Sequence, residues 1–498
     1  MTAQEDATAL KNKGNDAFKA QDWVTAVDFY TKAIELYDKE PSFYTNRAQA
    51  HIKMEMYGLA IADASKAIEI DPNNVKAGDI SLHPLYNPHL FLDLTLVQAY
   101  YRRASANTAI LHHREALRDW KVVIKKSPND QIAKVRVAEC DRIVKRDAFL
   151  KAIEVEDAPS ASEGLDIDSM VVEANYDGVQ LEKEMTVEFI EDMIQRFKDG
   201  KKIARKYVFQ IILAVKNIVY AEPTMVEVDI EPDHTLTVCG DTHGQFFDLL
   251  EIFRLNGFPS ATHGYLFNGD FVDRGSWSTE VALTLYAYKW LYPKSFFLNR
   301  GNHETDDMNR MYGFEGECRA KYNERVFKLF SESFSALPLA TLIGKKFFVL
   351  HGGLFSDDAV SLDDIRKLDR HKQRQPGQSG LMMEMLWTDP QPNPGRGPSK
   401  RGVGMQFGPD VTKRFCESNG LEAIIRSHEV RMEGYEVEHD GRCITVFSAP
   451  HYCDSTGNKG AFINIGSSYK LAYTQFDAVP HPAVKPMAYA ANGLMGLI

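Results

Sequence analysis

No uninterrupted apolar run in these 498 residues reaches the ~18 that a membrane-crossing helix needs, and the opening MTAQEDATALKNKGND is polar where a secretory leader is apolar. A soluble, intracellular protein is expected, cytoplasmic with the nucleus as a second compartment. A C-x-x-C pair is also missing. The six cysteines, Cys140, Cys239, Cys318, Cys416, Cys443 and Cys453, are scattered, which leaves out half a zinc-ribbon site and a redox couple and points to reduced thiols. The chain lacks the basic surplus of a nucleic-acid binder: its net charge is -11, and residues 1–150 hold 21 Lys+Arg against 20 Asp+Glu, so the remainder carries -12. An acidic body repels phosphate-bearing substrates unless metals or arginines reverse the field locally. The hydrophobic (44%) and charged (26%) fractions show no bias toward disorder or coiled coil. The length calls for roughly two to four domains.

What the sequence does contain, first, is a repeat. Gly14, Ala26 and Ala33 are echoed 34 residues later by Ala48, Ala60 and Ala67, with Pro72 closing the second unit. That period is the one of tetratricopeptide repeats. Small residues at fixed offsets let paired helices approach closely, with Leu10, Tyr30, Tyr44 and Ile61 filling the space between hairpins. A third unit follows at a different offset, because Ala48, Ala60 and Pro72 recur as Ala104, Ala116 and Pro128, each 56 residues on. The excess over 34 is a 22-residue insertion, residues 77–98 (AGDISLHPLYNPHLFLDLTLVQ), whose Pro84 and Pro88 predict that the helix is interrupted. Both a natural loop and a retained intron or gene-model error account for it.

Lys11 and Asn15 share a helical face at i, i+4, Asn46 recurs on the matching helix of the second unit, and Lys76 and Arg102 follow on the third. Lysine, arginine and asparagine are donors suited to a terminal carboxylate. The set resembles the carboxylate clamp of tetratricopeptide domains that hold the acidic tail of the ninety-kilodalton heat-shock chaperone. The insertion separates Lys76 from Arg102, which that pattern places four residues apart.

After a charged helix ending near Ile153, EVEDAPSASEGLDIDS has the composition of a linker. Beyond it, amphipathic helical patterns lead into short apolar runs, each ended abruptly by polar residues, an α/β arrangement. TLTVC ends in GDTHG, GYLF in NGDFVDRG, SFFL in NRGNHE, KFFVL in HGGL, AIIRS in His428-Glu429 and CITVFSAP in His451-Tyr452-Cys453-Asp454. Asp, Asn and His are the ligands of manganese, iron and zinc. The glycines beside them allow tight turns at strand ends, so loops on a rigid sheet edge converge on one site.

These motifs resemble the PPP family of serine/threonine phosphatases, and the tetratricopeptide front end with the tail VKPMAYA narrows the resemblance to its type 5 branch. The resemblance implies an all-α repeat domain followed by an α/β metallophosphoesterase domain, a central β-sandwich flanked by helices. It implies two divalent ions, manganese or iron with zinc. Asp241 and His243 would hold the first, Asp270 would bridge both, and Asn302, His351 and His428 would complete the second. A water between the two ions would attack phosphorus, with His303 as general acid oriented by Asp273. Arg274, Arg401 and Tyr452, with Asn302, would hold the phosphoryl group of a phosphoprotein substrate. Asn299 and His451 stand where the family usually has Leu and Asn.

The expected layout is a repeat domain over 1–153, a linker over 154–180, a catalytic domain over 181–480 and a regulatory helix over 481–498. Glu55, between the helices of the second repeat, and the apolar tail from Pro486 are read as autoinhibitory contacts. Two other functions are consistent with the same motifs: a metallophosphoesterase acting on phosphodiesters or nucleotides, and a non-catalytic docking scaffold.

Overall fold

The computed structural model describes residues 2–70, 88–152 and 160–490. By their contacts the residues form two units, one of Met1–Ala158 with Pro398–Val403, the other of Pro159–Gly397 with Gly404–Ala491.

The first unit is built from antiparallel helices: α1 (Ala3–Lys19), α2 (Trp23–Leu36), α3 (Pro41–Lys53), α4 (Tyr57–Ile70), α5 (Pro88–Ala109), α6 (His113–Lys126) and α7 (Gln131–Ala152). A capping box opens α1, with Thr2 Oγ1 accepting from Glu5 N–H and Glu5 Oε2 accepting from Thr2 N–H. Asp22 caps α2 through Thr25 N–H, and Pro41 occupies the first turn of α3, where no backbone donor is lost. The small residues do what the repeat pattern requires: Ala26, Ala33, Ala48, Ala60, Ala67, Ala104 and Ala116 are fully buried, and a Cβ on Gly14 would stand 2.6 Å from the Tyr30 ring. The turns within the three hairpins repeat as well. Gln21, Glu55 and Leu111, 34 and then 56 residues apart, all have left-handed φ (63°, 58° and 64°).

The second half of the insertion, from Pro88 onward, is helical and forms the amino-terminal part of α5, while the interruption expected between Lys76 and Pro88 falls outside the described residues. Proline blocks a helix only from within. At the first position its fixed φ and missing N–H cost nothing, and Pro88 sits there. Lys76 and the first half of the insertion lie outside the described residues.

Among the described residues the second unit holds fourteen strands: β1 (Met225–Val228), β2 (Thr235–Cys239), β3 (His263–Phe267), β4 (Phe296–Leu298), β5 (Ala340–Ile343), β6 (Phe347–Leu350), β7 (Asp389–Pro390), β8 (Arg396–Pro398), β9 (Met405–Phe407), β10 (Ala423–Arg426), β11 (Tyr435–Glu438), β12 (Cys443–Val446), β13 (Gly460–Gly466) and β14 (Leu471–Phe476). They form a six-stranded sheet in the order β1-β5-β6-β10-β12-β11, a five-stranded sheet β14-β13-β2-β3-β4, and a small sheet β7-β9-β8. Alternating side chains make the sandwich. Val238, Leu266, Val349 and Ile425 point into the layer between the two large sheets, while their neighbours Cys239, Phe267, Leu350 and Ile424 face helices on the outside. Among those helices is Val187–Lys198, opened by a Thr186 cap, and Arg205–Ala221 lies beside it on the five-stranded side.

Topology explains why one edge carries the chemistry. β2, β3 and β4 are parallel in one sheet, and β6, β10 and β12 are parallel in the other, so each trio presents its carboxyl ends together. A parallel bridge between Asp241 and Phe447 joins the two edges. Among the described residues no helix is long and apolar enough to cross a membrane, and all six cysteines are free thiols.

Two boundaries differ from the expected layout. From residue 160 the segment read as linker packs on the second unit: Ala161, Leu165, Ile167, Met170, Val172, Tyr176 and Val179 lie against its helical core. The tail through Ala490 is a turn rather than a helix, with Met487 at a φ of 52° that no continuing helix allows. Residues 491–498 lie outside the described residues.

Candidate active site

Each strand end contributes one loop. Asp241 and His243 follow β2, Asp270, Asp273 and Arg274 follow β3, Asn302 and His303 follow β4, His351 follows β6, His428 follows β10 and Tyr452 follows β12. All are buried. Five of them, His243, Asp270, Asp273, Arg274 and His428, hold left-handed φ between 40° and 72°. Such backbone costs about 1 kcal/mol or more per residue and persists only where the surroundings over-determine it, as at functional sites.

The loops meet around Asp270. Its Oδ2 is 3.2 Å from His351 Nε2 and 3.6 Å from His243 Nε2, and its Oδ1 accepts from His303 N–H at 2.8 Å. Asp241 Oδ2 lies 3.6 Å from His243 Nε2, and its Oδ1 accepts from His428 N–H at 3.1 Å. Asn302 Oδ1 is 2.9 Å and His428 Nδ1 3.2 Å from His351 Nε2. Two sets of donors lie close enough together to share an ion: Asp270 with His351 and His428, and Asp270 with His243 and His303. Asp270 is common to both.

The donor set fits divalent metal. The far ring nitrogens are already committed, His243 Nδ1 to Val272 O (3.0 Å) and His351 Nδ1 to Asn268 O (2.8 Å), which leaves each Nε2 as the atom that faces the cluster. A Cβ on Gly301 would overlap Asp270 Oδ1, so glycine there is a spatial necessity.

Charge is balanced tightly. Burial works to raise the Asp270 carboxyl, yet the imidazoles of His351, His303 and His243 hold it below the usual carboxylate range. Burial likewise works to lower His351, but Asp270 and Asp241 push it up to about 9. Burial raises Asp273 well above its ordinary value and takes His303 well below its own. The two stand 2.9 Å apart through His303 Nδ1 and Asp273 Oδ2.

Arg274 stacks on Tyr312, Cζ 3.7 Å from the ring centroid, and His303 rests 5.2 Å from the same ring. Tyr452 packs 5.2 Å from the His243 ring. Arg401 belongs to the segment Pro398–Val403, and its backbone N–H donates to Ser399 Oγ. In the helical unit Asn15 Oδ1 accepts from Asn46 Nδ2 at 2.9 Å and from Tyr30 OH at 2.8 Å, Lys11 is half-buried, and the Arg102 guanidinium lies 5.6 Å from the Tyr101 ring. Glu55 occupies the turn between α3 and α4.

Several supporting residues escaped the sequence reading. Glu304, buried and pushed up to about 7 by burial and by the charge of Asp270, accepts from the backbone of Asp270, Gly301 and Phe271. Asn309 donates to Asp273 Oδ2 and His303 O, and Phe314 N–H to Asp273 Oδ1. Arg426 ties Gly352 O, Glu429 and Asp389 beneath the His428 loop.

The calcineurin-like phosphoesterase family matches residues 234–432, which span this cluster except for Tyr452, and a tetratricopeptide repeat matches 41–74. The PPP5 TPR repeat region matches residues 137–227. Serine/threonine-protein phosphatase T of Aspergillus oryzae is 71% identical over 494 residues, with 99% of both chains covered. This chain belongs to the serine/threonine-protein phosphatase 5/T family. Human serine/threonine-protein phosphatase 5 is 51% identical over 498 residues, covering 99% of this chain and 95% of its own. A solved phosphatase structure from Saccharomyces cerevisiae, described as similar to human phosphatase PP5, is 50% identical and aligns with a TM-score of 0.59 over 61% of this chain and 100% of its own. A phosphatase of the 5/T family is a metal-dependent serine/threonine protein phosphatase, and its α/β domain is the one that carries the Asp270 cluster.

Proposed function

We propose that the cluster around Asp270 hydrolyses phosphoserine and phosphothreonine esters of proteins with two divalent ions, manganese or iron with zinc. The observation that carries this reading is the membership of Asp270 in both donor sets. Asp241, His243 and Asp270 would hold one ion, and Asp270, Asn302, His351 and His428 the other. Bound there, the pair supplies Lewis acidity and a water of lowered pKa. His303 delivers a proton from Nε2 to the departing seryl or threonyl oxygen, while Asp273 fixes the ring through Nδ1. Arg274, Arg401 and Tyr452 hold the phosphoryl oxygens, and Asn302 orients them. Turnover of a phosphopeptide beside a phosphodiester tests the reading: preference for the phosphopeptide by orders of magnitude supports it, and equal rates sink it.

The repeat unit is proposed to bind the acidic carboxyl-terminal tail of the ninety-kilodalton heat-shock chaperone through Lys11, Asn15, Asn46, Lys76 and Arg102. Support comes from the joined amides of Asn15 and Asn46. Arg102→Ala should weaken binding of a Met-Glu-Glu-Val-Asp peptide about tenfold, and unchanged affinity would remove the clamp.

Autoinhibition is the remaining part of the proposal. The turn at Glu55 is made equally by Gln21 and Leu111 in the neighbouring hairpins, so its backbone does not require a carboxylate. In the tail, Met487 N–H donates to Arg274 O, joining the tail to the loop of the phosphoryl-binding arginine. Deleting residues 1–160 should raise the basal rate, and an unchanged rate would dismiss the idea. A cytoplasmic and nuclear location completes the proposal.

A further inference from the structure

Asn299 is fully buried directly after β4. Its amide reaches across the sandwich. Oδ1 accepts from Thr341 Oγ1 of β5 at 2.8 Å, and Nδ2 donates to Val349 O of β6 at 3.2 Å and to Asn268 Oδ1 at 2.9 Å. Thr341 and Val349 face each other in the β5–β6 ladder, so a side chain of the five-stranded sheet grips one rung of the six-stranded sheet. Asn268 extends the chain of bonds. Its Nδ2 donates to Leu350 O (2.8 Å) and Ser427 Oγ (2.9 Å), and its backbone carbonyl accepts from His351 Nδ1.

Every donor hydrogen of both amides is used, and Asn268 Oδ1 accepts from Asn299. Rotating either amide by half a turn would set its oxygen against a backbone carbonyl, Val349 O for Asn299 and Leu350 O for Asn268, so both orientations are fixed. The carbonyl that sets the tautomer and direction of the His351 ring therefore belongs to a residue whose side chain is immobilised by Asn299, its neighbour at the end of the adjacent strand β4. We propose that Asn299 is a positioning residue for His351, one step beyond Asn268, and that it sharpens divalent-metal affinity rather than touching metal or substrate. This rests on the reading of His351 as a ligand.

Outer partners of metal-binding imidazoles typically govern about 10–100-fold in affinity. Full-length protein stripped with chelator and titrated with Mn2+ in a calorimeter tests the proposal. Asn299→Leu and Asn299→Ser should raise the weaker Mn2+ dissociation constant about tenfold, with kcat recovered at saturating Mn2+. Thr341→Val cuts only the distal bond and should stay within about twofold while lowering the melting temperature. Serine is small enough to be accommodated if leucine prevents folding. Mn2+ affinity within twofold of wild type in both Asn299 variants overturns the proposal, as does an equal loss in Thr341→Val, which would mean general loosening of the sandwich. His351→Ala separates the premises: unaltered Mn2+ binding there fails the ligand reading itself, whereas abolished binding beside unaffected Asn299 variants fails only the positioning role.

Discussion

His303 Nδ1 and Asp273 Oδ2 stand 2.9 Å apart with both side chains buried, and Asp273 is held in turn by Asn309 Nδ2 and Phe314 N–H. The ring is thus oriented from one nitrogen and free to serve chemistry with the other. His303→Asn should lower kcat on a phosphopeptide by about a hundred- to ten-thousandfold with KM little changed. Metal content should stay at wild type, because the backbone N–H of residue 303, which binds Asp270 Oδ1, is retained. Loss of one metal per chain, measured by plasma emission, would instead make His303 a ligand, in line with its closeness to His243 and Asp270.

Asp270 is the carboxylate that both donor sets share. Metal binding only the folded state stabilises it by about 2.7 kcal/mol at a hundred times the dissociation constant. Chelation should lower the melting temperature of the catalytic unit and Mn2+ should restore it. Asp270→Asn should abolish that response. A variant that still gains the full Mn2+ shift would show that the bridge is not needed.

The ligands were legible because each is a metal-binding residue type beside glycine at the end of an apolar run. Their supports were not. Glu304 and Asn268 lie inside quoted motifs, yet what they do depends on partners such as Asp270 N–H, 34 residues earlier, and Ser427 Oγ, 159 residues later. Left-handed backbone at Arg274 has no signature in residue type, and at Asp273 and His428 it has only the mild preference of Asp and His for that region. The segment from 160 to 180 spreads its few apolar residues through an acidic run without helical or strand period, so composition read as linker what contacts show to be packed. Proline at 88 was weighed as a breaker, since sequence does not say whether it stands inside a helix or at its first turn.

Arg47 and Asp63 form a two-pronged ion pair (2.9 and 2.7 Å), and Arg103 and Asp119 form its copy 56 residues later (2.7 and 2.9 Å). Even the third contact repeats, with Thr31 Oγ1 replaced by Ser65 Oγ. The 56-residue offset that marked the insertion in small residues therefore also governs polar contacts between helices. Removing one partner leaves a nearly buried aspartate without its arginine, at a cost of about 2 kcal/mol. Arg47→Ala and Arg103→Ala should lower the melting transition of the repeat unit to similar extents, read by circular dichroism. A large loss in one and none in the other would break the equivalence of the two repeats.

The start of the catalytic unit is held by one carboxylate. Glu332 accepts from Ala161 N–H (2.5 Å) and Ser160 Oγ (2.8 Å) and pairs with Lys216, while Arg325 donates to the carbonyls of Ala161 and Glu163. Burial would raise the Glu332 pKa, but Lys216, Ala161 N–H and Ser160 outweigh it and the value is lowered. A carboxyl depressed in the folded state contributes stability that is complete above its unfolded value of about 4.3 and is lost as pH falls through the folded value. Amide exchange at Ala161, corrected for the intrinsic rate, should therefore be slow near neutrality and accelerate in the acid range below that value. Glu332→Gln should exchange fast at every pH. Wild-type protection that persists unchanged in acid, while the remainder of the unit stays folded, would mean that apolar contacts of Leu165 and Ile167 hold the segment and that the carboxylate is incidental.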